Sequence, residues 1–263
     1  MASSFDLVLI GGGNMGAALL GGLVDSGTFE PSDVAVVEVV AERRAQLTSM
    51  FPGVSVRREV PRADGVVLAV KPVDAPAAAT SACAAGARRV LSIAAGVTLA
   101  TLEDAAGAGV AVVRAMPNTP ALVRLGASAI AAGTAAGNDD VTWAESILAA
   151  VGTVERLPES ALDVFTGFAG SGPAYVFLVA EALTDAAAAE GLDRAVAERV
   201  VRQLLLGSAT LLDREGDPTR LREQVTSPGG TTAAGLAVLG EHDLRGTFAA
   251  AVRAATARSR ELG

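Results

Sequence analysis

Few of the side chains that carry most enzyme chemistry are present. The 263 residues include one Cys, one His, one Trp and one Tyr, and aromatic residues make up 3% of the chain. Of the 21 basic residues, Lys71 is the single lysine. One cysteine (Cys83) and one histidine (His242) cannot build a zinc tetrad or a disulfide framework, so neither a metal nor a cystine scaffold is expected. A net charge of -8 without any basic run leaves no electrostatic footprint for nucleic acid and little for an anionic membrane. Gly, Asp, Glu or Arg interrupts the apolar stretches before the ~20 residues a membrane span requires. Met1–Asp6 has neither the basic nor the apolar part of a signal peptide. The expectation is a soluble protein of a reducing compartment, the cytoplasm.

The sequence itself has two styles, in a length that suits one large domain or two modest ones. Up to about Pro158, short apolar runs alternate with helical stretches. Phe5–Ile10, Val34–Glu38, Gly65–Val70, Arg89–Ile93, Val110–Ala115 and Val154–Leu157 read as strands. Most are continuous Val, Ile, Leu and Ala, as when both faces of a sheet are covered. Asn14–Ser26, Ala41–Met50 and Leu99–Ala105 read as helices between them, and such alternation predicts a parallel sheet with right-handed crossovers. Beyond Pro158 the strands give way to helices at Ala174–Glu190, Arg194–Arg214, Thr219–Thr226, Thr231–Leu239 and Leu244–Glu261, with breaks at Gly191, Gly216 and Gly240. Tyr175–Ala189 is apolar around nearly its whole circumference, the mark of a helix buried in a bundle or against a second subunit. Two domains are therefore expected, 1–157 and 158–263.

Gly11, Gly13 and Gly16 form G-x-G-x-x-G directly after the first strand and open a helix with Asn14 and Met15 between them. The first glycine permits the tight turn, the second lets backbone approach a pyrophosphate, and the third packs helix on strand. Helix N-terminal amides then face the phosphates. A glycine-rich strand–helix turn alone would give the same string. The second strand, however, ends at Glu38, 22 residues beyond Gly16, near the ~20 expected of an acid that holds a ribose hydroxyl. A carboxylate there favours NADH, whereas Arg43 and Arg44, if they do not simply decorate a helix face, could accommodate the extra phosphate of NADPH. Lys71 ends the run Ala69-Val70-Lys71-Pro72, which the rule for open sheets places at the ligand crevice. Ile93, Ala94 and Ala95 occupy the matching place after the next strand. Late in the chain, Ser227-Pro228-Gly229-Gly230-Thr231-Thr232 precedes a helix, and its exposed amides, hydroxyls and helix dipole suit a carboxylate as well as they suit an ordinary cap.

The glycine loop, Ala69-Val70-Lys71-Pro72, Arg114-Ala115-Met116-Pro117-Asn118-Thr119-Pro120-Ala121, Gly170-Ser171-Gly172-Pro173-Ala174-Tyr175 and the Ser227–Thr232 segment make five motifs in order from Ile10 to the C-terminal helices. Together they resemble the pyrroline-5-carboxylate reductase family. The resemblance implies an α/β fold, an N-terminal Rossmann-type parallel sheet followed by an all-helical C-terminal dimerisation domain. It also implies NAD(P)H-dependent reduction of the C=N bond of 1-pyrroline-5-carboxylate to L-proline by a homodimer or higher homo-oligomer. Ser227, Gly230, Thr231 and Thr232 would then hold the carboxylate and ring nitrogen, with Thr232 orienting the imine. Glu159, Thr166 and Glu215 fall at further substrate-side positions, and Ala69–Pro72 with Ile93–Ala95 at the nicotinamide side. The chain departs from the family at Val39 and Val40, where members using NADPH carry Ser, Thr or Arg. It departs again at Gly240, where an acid or amide is usual. Two alternatives remain at this level: a hydroxy-acid dehydrogenase of similar layout, which needs a catalytic lysine that the second half lacks, and a dinucleotide sensor without turnover. His242 reads as a helix cap, Tyr175 as packing and Cys83 as a small core hydrophobe.

Overall fold

In the computed structural model, residues 4–262 are described; residues 1–3 and 263 lie outside the described residues, and with them the start of the Met1–Asp6 segment. Runs of Val, Leu and Ile make β1 (Phe5–Ile10), β2 (Val34–Val37), β4 (Ala63–Leu68), β5 (Arg89–Ser92) and β6 (Ala111–Met116) after the small edge strand β3 (Ser55–Arg57) has been counted. β7 (Gly126–Ala132) and β8 (Gly152–Arg156) complete one sheet in the order β3-β2-β1-β4-β5-β6-β7-β8. Strand order reverses between β1 and β4, so a crevice opens beyond their carboxyl ends.

Each face of the sheet is sealed by helices. On one side Leu7, Leu9, Val36 and Val67 pack with Leu19, Leu20 and Leu23 of α1 (Asn14–Asp25), Leu47 of α2 (Ala41–Met50), and Ile147 and Leu148 of α5 (Asn138–Ala149). On the other, Val8, Ile10, Val66 and Leu68 pack with Ala75, Ala79 and Ala82 of α3 (Ala75–Ala84), Leu102 of α4 (Leu99–Ala106) and Leu162 of α6 (Glu159–Phe165). Alanine lets α3 lie close on the sheet, and the half-buried Cys83 packs there as one more small apolar group. Burial pushes its thiol up, which keeps it protonated and unreactive.

The sheet is parallel, as expected, except at one place. β7 runs antiparallel to β6, with Met116 opposite Ala129. A parallel return needs a crossover of about a dozen residues or more. The link from Pro117 to Leu125 instead makes one tight turn, Thr119–Val123, ended by Arg124 in the left-handed region (φ 59). β3, three residues long, and β7, mostly Ala with Gly and Ser, carry too few branched apolar residues to stand out by pattern.

By contacts between residues, one compact unit runs to Ser171 and takes in the chain again from Ala254, and a second comprises Gly172–Arg253. The second is helical: α7 (Gly172–Ala189), α8 (Arg194–Glu215), α9 (Pro218–Gln224), α10 (Thr231–Glu241) and the first part of α11 (Leu244–Leu262). Asp193 caps α8 by accepting from the amide of Val196 at 3.0 Å, and Gly216 ends it at φ 77. Asp217 caps α9. Gly240, read above as a break, lies inside α10; Asp243 makes the turn instead, at φ 47, and its carboxylate accepts from the amide of Gly246. Phe177, Leu178 and Leu183 of α7 and Leu204 of α8 are exposed. Glu159–Ala189 is, by length and composition only, one stretch among the described residues long and apolar enough to cross a membrane.

A Cβ on Gly152 would stand 1.9 Å from the carbonyl oxygen of Gly126, and only movement of backbone could relieve it. Gly152→Ala should therefore cost roughly 2–3 kcal/mol by parting β7 from β8, measured by urea unfolding.

Candidate active site

Four chain segments emerge side by side at the carboxyl edge of the sheet, because the backbone ladder continues one residue past the strands. Gly11 N donates to the Val37 carbonyl at 2.9 Å, Ala69 N to Ile10 at 2.7 Å and Ile93 N to Leu68 at 3.1 Å. The glycine loop, Glu38, Ala69–Pro72 and Ile93–Ala95 thus share one edge. The three loop glycines have different reasons to be glycine. A Cβ on Gly11 (φ 107) would lie 2.3 Å from the Ala69 carbonyl oxygen, and one on Gly16 would lie 2.1 Å from that of Gly11. Around Gly13 there is nothing within 4 Å of that position, so it faces open space at the head of α1. No side chain caps α1, whose first turn offers the amides of Asn14, Met15 and Gly16. A diphosphate fits there: donors and the positive end of the helix dipole meet a face with no side chain in the way.

Glu38 closes this edge. Its Oε2 accepts from Gly12 N at 3.1 Å and its Oε1 from Val40 N at 2.8 Å. The carboxylate therefore shapes the glycine loop and the turn after β2, and its remaining lone pairs are available to hydroxyls. Arg43 and Arg44 do not simply decorate a helix face. Arg43 Nε donates to the Gly12 carbonyl at 2.6 Å, and Arg44 Nη1 donates to the carbonyls of Glu38 and Val39 at 2.9 and 2.8 Å. Lys71 is exposed, in an extended conformation that Pro72 follows into the short turn Pro72–Asp74. Ser92 is fully buried and its hydroxyl accepts from Ala94 N at 3.3 Å, which shapes the next loop; Ala95 is exposed there.

In the helical unit, Ser227–Thr232 folds as a tight turn. Gly230 N donates to the Ser227 carbonyl at 3.0 Å, Gly229 takes φ 70, and a Cβ on Gly230 would lie 2.5 Å from Ser227 Oγ. No side chain caps α10 at Gly230, while Ser227, Thr231 and Thr232 are exposed. The turn thus presents amides, hydroxyls and a helix N-terminus together, an arrangement whose chemistry suits an anion.

The other three residues expected on the substrate side are dispersed. Glu215 is exposed at the end of α8 and pairs with Arg220. Thr166 Oγ1 donates to the Leu162 carbonyl at 2.8 Å, where Thr166–Gly170 forms a π-turn. Glu159 binds Arg114 and Leu99, within the sheet unit. Sequence reasoning gave no role to Asn118, whose Nδ2 donates to the Ala169 carbonyl at 3.0 Å and whose Oδ1 accepts from Ala127 N at 2.9 Å. Its place between two prolines was the available signal. His242 ends α10 as its C-cap. Among the described residues, no cluster of metal ligands exists.

A doubly wound sheet with this glycine loop and acid at its carboxyl edge defines a nicotinamide-dinucleotide oxidoreductase. Comparison with known proteins sharpens the class. Residues 159–262 match the family model for pyrroline-5-carboxylate reductase dimerisation, and residues 6–96 match that for coenzyme F420-dependent NADP oxidoreductase. The chain is 42% identical to the pyrroline-5-carboxylate reductase of Synechocystis sp., covering 99% of both chains. The solved structure of a pyrroline-5-carboxylate reductase from Coxiella burnetii superposes with a TM-score of 0.92 at 36% identity, again covering 99% of each. That of Plasmodium falciparum pyrroline carboxylate reductase, with NADP bound, gives 0.85 at 27% identity, covering 98% of each. This chain belongs to the pyrroline-5-carboxylate reductase family.

The contrast between two glycines tests the loop. Gly13→Ala should leave the unfolding midpoint unchanged yet weaken dinucleotide binding about tenfold, a loss of roughly 1.4 kcal/mol, in a titration of reduced-nicotinamide fluorescence. Gly16→Ala should lower both stability and binding.

Proposed function

We propose that this protein reduces 1-pyrroline-5-carboxylate to L-proline, as a homodimer or larger homo-oligomer built on its helical unit. The observation that carries the reading furthest is the uncapped, exposed turn Ser227–Thr232 in a chain of this family. Its amides and the dipole of α10 receive the substrate carboxylate. The Thr232 hydroxyl holds the ring nitrogen and so sets which face of the C=N bond is presented. A bound reduced nicotinamide dinucleotide supplies the hydride. If the imine arrives with its nitrogen protonated, hydride addition to the carbon completes the amine and the site needs no strong acid. That accounts for a family member with one His and no lysine after Lys71. Orientation of the reacting carbons supplies most of the acceleration.

Two further parts belong to this reading. The exposed Phe177, Leu178, Leu183 and Leu204 form the kind of apolar surface that a partner subunit covers. NADH is the favoured cofactor, because the Glu38 carboxylate repels a ribose phosphate and Arg43 and Arg44 already donate to backbone carbonyls. Lys71 and the backbone of Ala69–Pro72 and Ile93–Ala95 line the cofactor side.

Purified protein mixed with racemic pyrroline-5-carboxylate should oxidise NADH, followed at the reduced-cofactor absorbance; inactivity with both NADH and NADPH would refute the proposal. Thr232→Ala should lower kcat about a hundredfold, in the range of a lost general-acid or orienting group, while Tyr175→Phe should cost far less. Equal losses would remove Thr232 from the site. Glu38→Gln removes the charge while its single amide oxygen keeps an acceptor for one of the two amides, so the NADPH-to-NADH ratio of kcat/KM should rise; an unchanged ratio would disprove the role given to Glu38.

A further inference from the structure

Glu159 commits its carboxylate to partners within the sheet unit. Its Oε1 accepts from the backbone amide of Leu99 at 2.7 Å and from Nη1 of Arg114 at 2.8 Å. Leu99 is the first residue of α4; Thr98 caps that helix by accepting from Thr101 N, which leaves the Leu99 amide for Glu159. Arg114 stands on β6 with its side chain 9% exposed, against 34% for Glu159. One carboxylate oxygen therefore joins β6, α4 and α6, and removing it would strand a buried guanidinium.

The same helix reaches the other side of the loop that precedes α4. One turn along α6, Asp163 Oδ1 accepts from Ser259 Oγ at 2.7 Å. Thr256 and Ser259 are buried, so the last turns of α11 are docked on the sheet unit. They end where the Leu262 carbonyl oxygen lies 3.1 Å from the position of a Cβ on Gly96, a residue at φ 77. The segment Ile93–Val97 is thereby followed by Leu99, which Glu159 binds directly, and flanked at Gly96 by the α11 turn that Asp163 retains.

We infer that Glu159 is a positioning residue for the Ile93–Val97 loop, setting the surface offered to the nicotinamide, and not a ligand of the imine. The inference rests on the reading of Ile93–Ala95 as the nicotinamide side. Neutralising Arg114 and fixing the first amide of α4 are two effects of one oxygen, and they can be separated. In Arg114→Met/Glu159→Gln the buried charge is gone and an amide oxygen still faces Leu99 N.

Two measurements decide the matter on the full-length oligomer: dinucleotide Kd by reduced-nicotinamide fluorescence without imine, and KM for the imine. Glu159→Ala should raise the dinucleotide Kd about tenfold while the imine KM stays within about twofold, the split expected when substrate binding is untouched. The double variant should return the Kd to within about threefold of the parent. A tenfold rise in imine KM with unchanged dinucleotide Kd would overturn the inference and make Glu159 a substrate ligand. A double variant as weak as Glu159→Ala would overturn it too. Should Glu159→Ala fail to fold, the double variant decides alone, a Kd near the parent supporting the inference and a weakened one overturning it. If the parent protein proves inactive on the imine, the functional proposal falls, whereas the Kd comparison, which uses no imine, still tests Glu159.

Discussion

Contact between backbones at the head of α1 is the constraint on which the rest depends. Gly16 sits so close on Gly11, and Gly11 on Ala69, that no side chain can come between them. This contact draws α1 against β1 and β4 where the strand order reverses. It also leaves the first amides of α1 pointing along an open face. The crevice, the donors and the place of Lys71 after β4 all follow from three glycines and an alanine.

Around that contact the chain uses carboxylates as holders of backbone amides. Glu38 takes Gly12 and Val40, Glu159 takes Leu99, and Glu103 takes Thr134. Charge-assisted bonds of this type are stronger than neutral ones and restrict a loop to one shape. In a protein poor in titratable catalytic groups, these acid side chains fix the shape of loops. This agrees with chemistry in which placement matters more than proton transfer.

Much of this was legible from residues alone. Strands β1, β2, β4, β5, β6 and β8 and the helices from Ala174 onward announced themselves, because apolar runs and glycine breaks have a direct physical cause. β7 did not, since Gly-Ala-Ser-Ala-Ile-Ala-Ala lacks the branched side chains that mark a strand, and its reversed direction follows from a turn too short for a crossover. The glycine loop and the Ser-Pro-Gly-Gly-Thr-Thr turn were readable as anion receptors from local chemistry. The attachments of Glu159 and Asn118 were not, because each depends on groups brought from distant parts of the chain.

The return of α11 to the sheet unit makes that unit discontinuous in sequence. Its first part is translated before the helical unit, and Ala254–Leu262 only after Gly172–Arg253 has been made. Domains generally fold in the order of synthesis. Here the sheet unit can gather its two hydrophobic cores early, yet its Gly96 side gains its strap only when the helices are complete. Completion of the sheet unit is thereby ordered after synthesis of the helical unit, a timing written into chain connectivity and not into any single interaction.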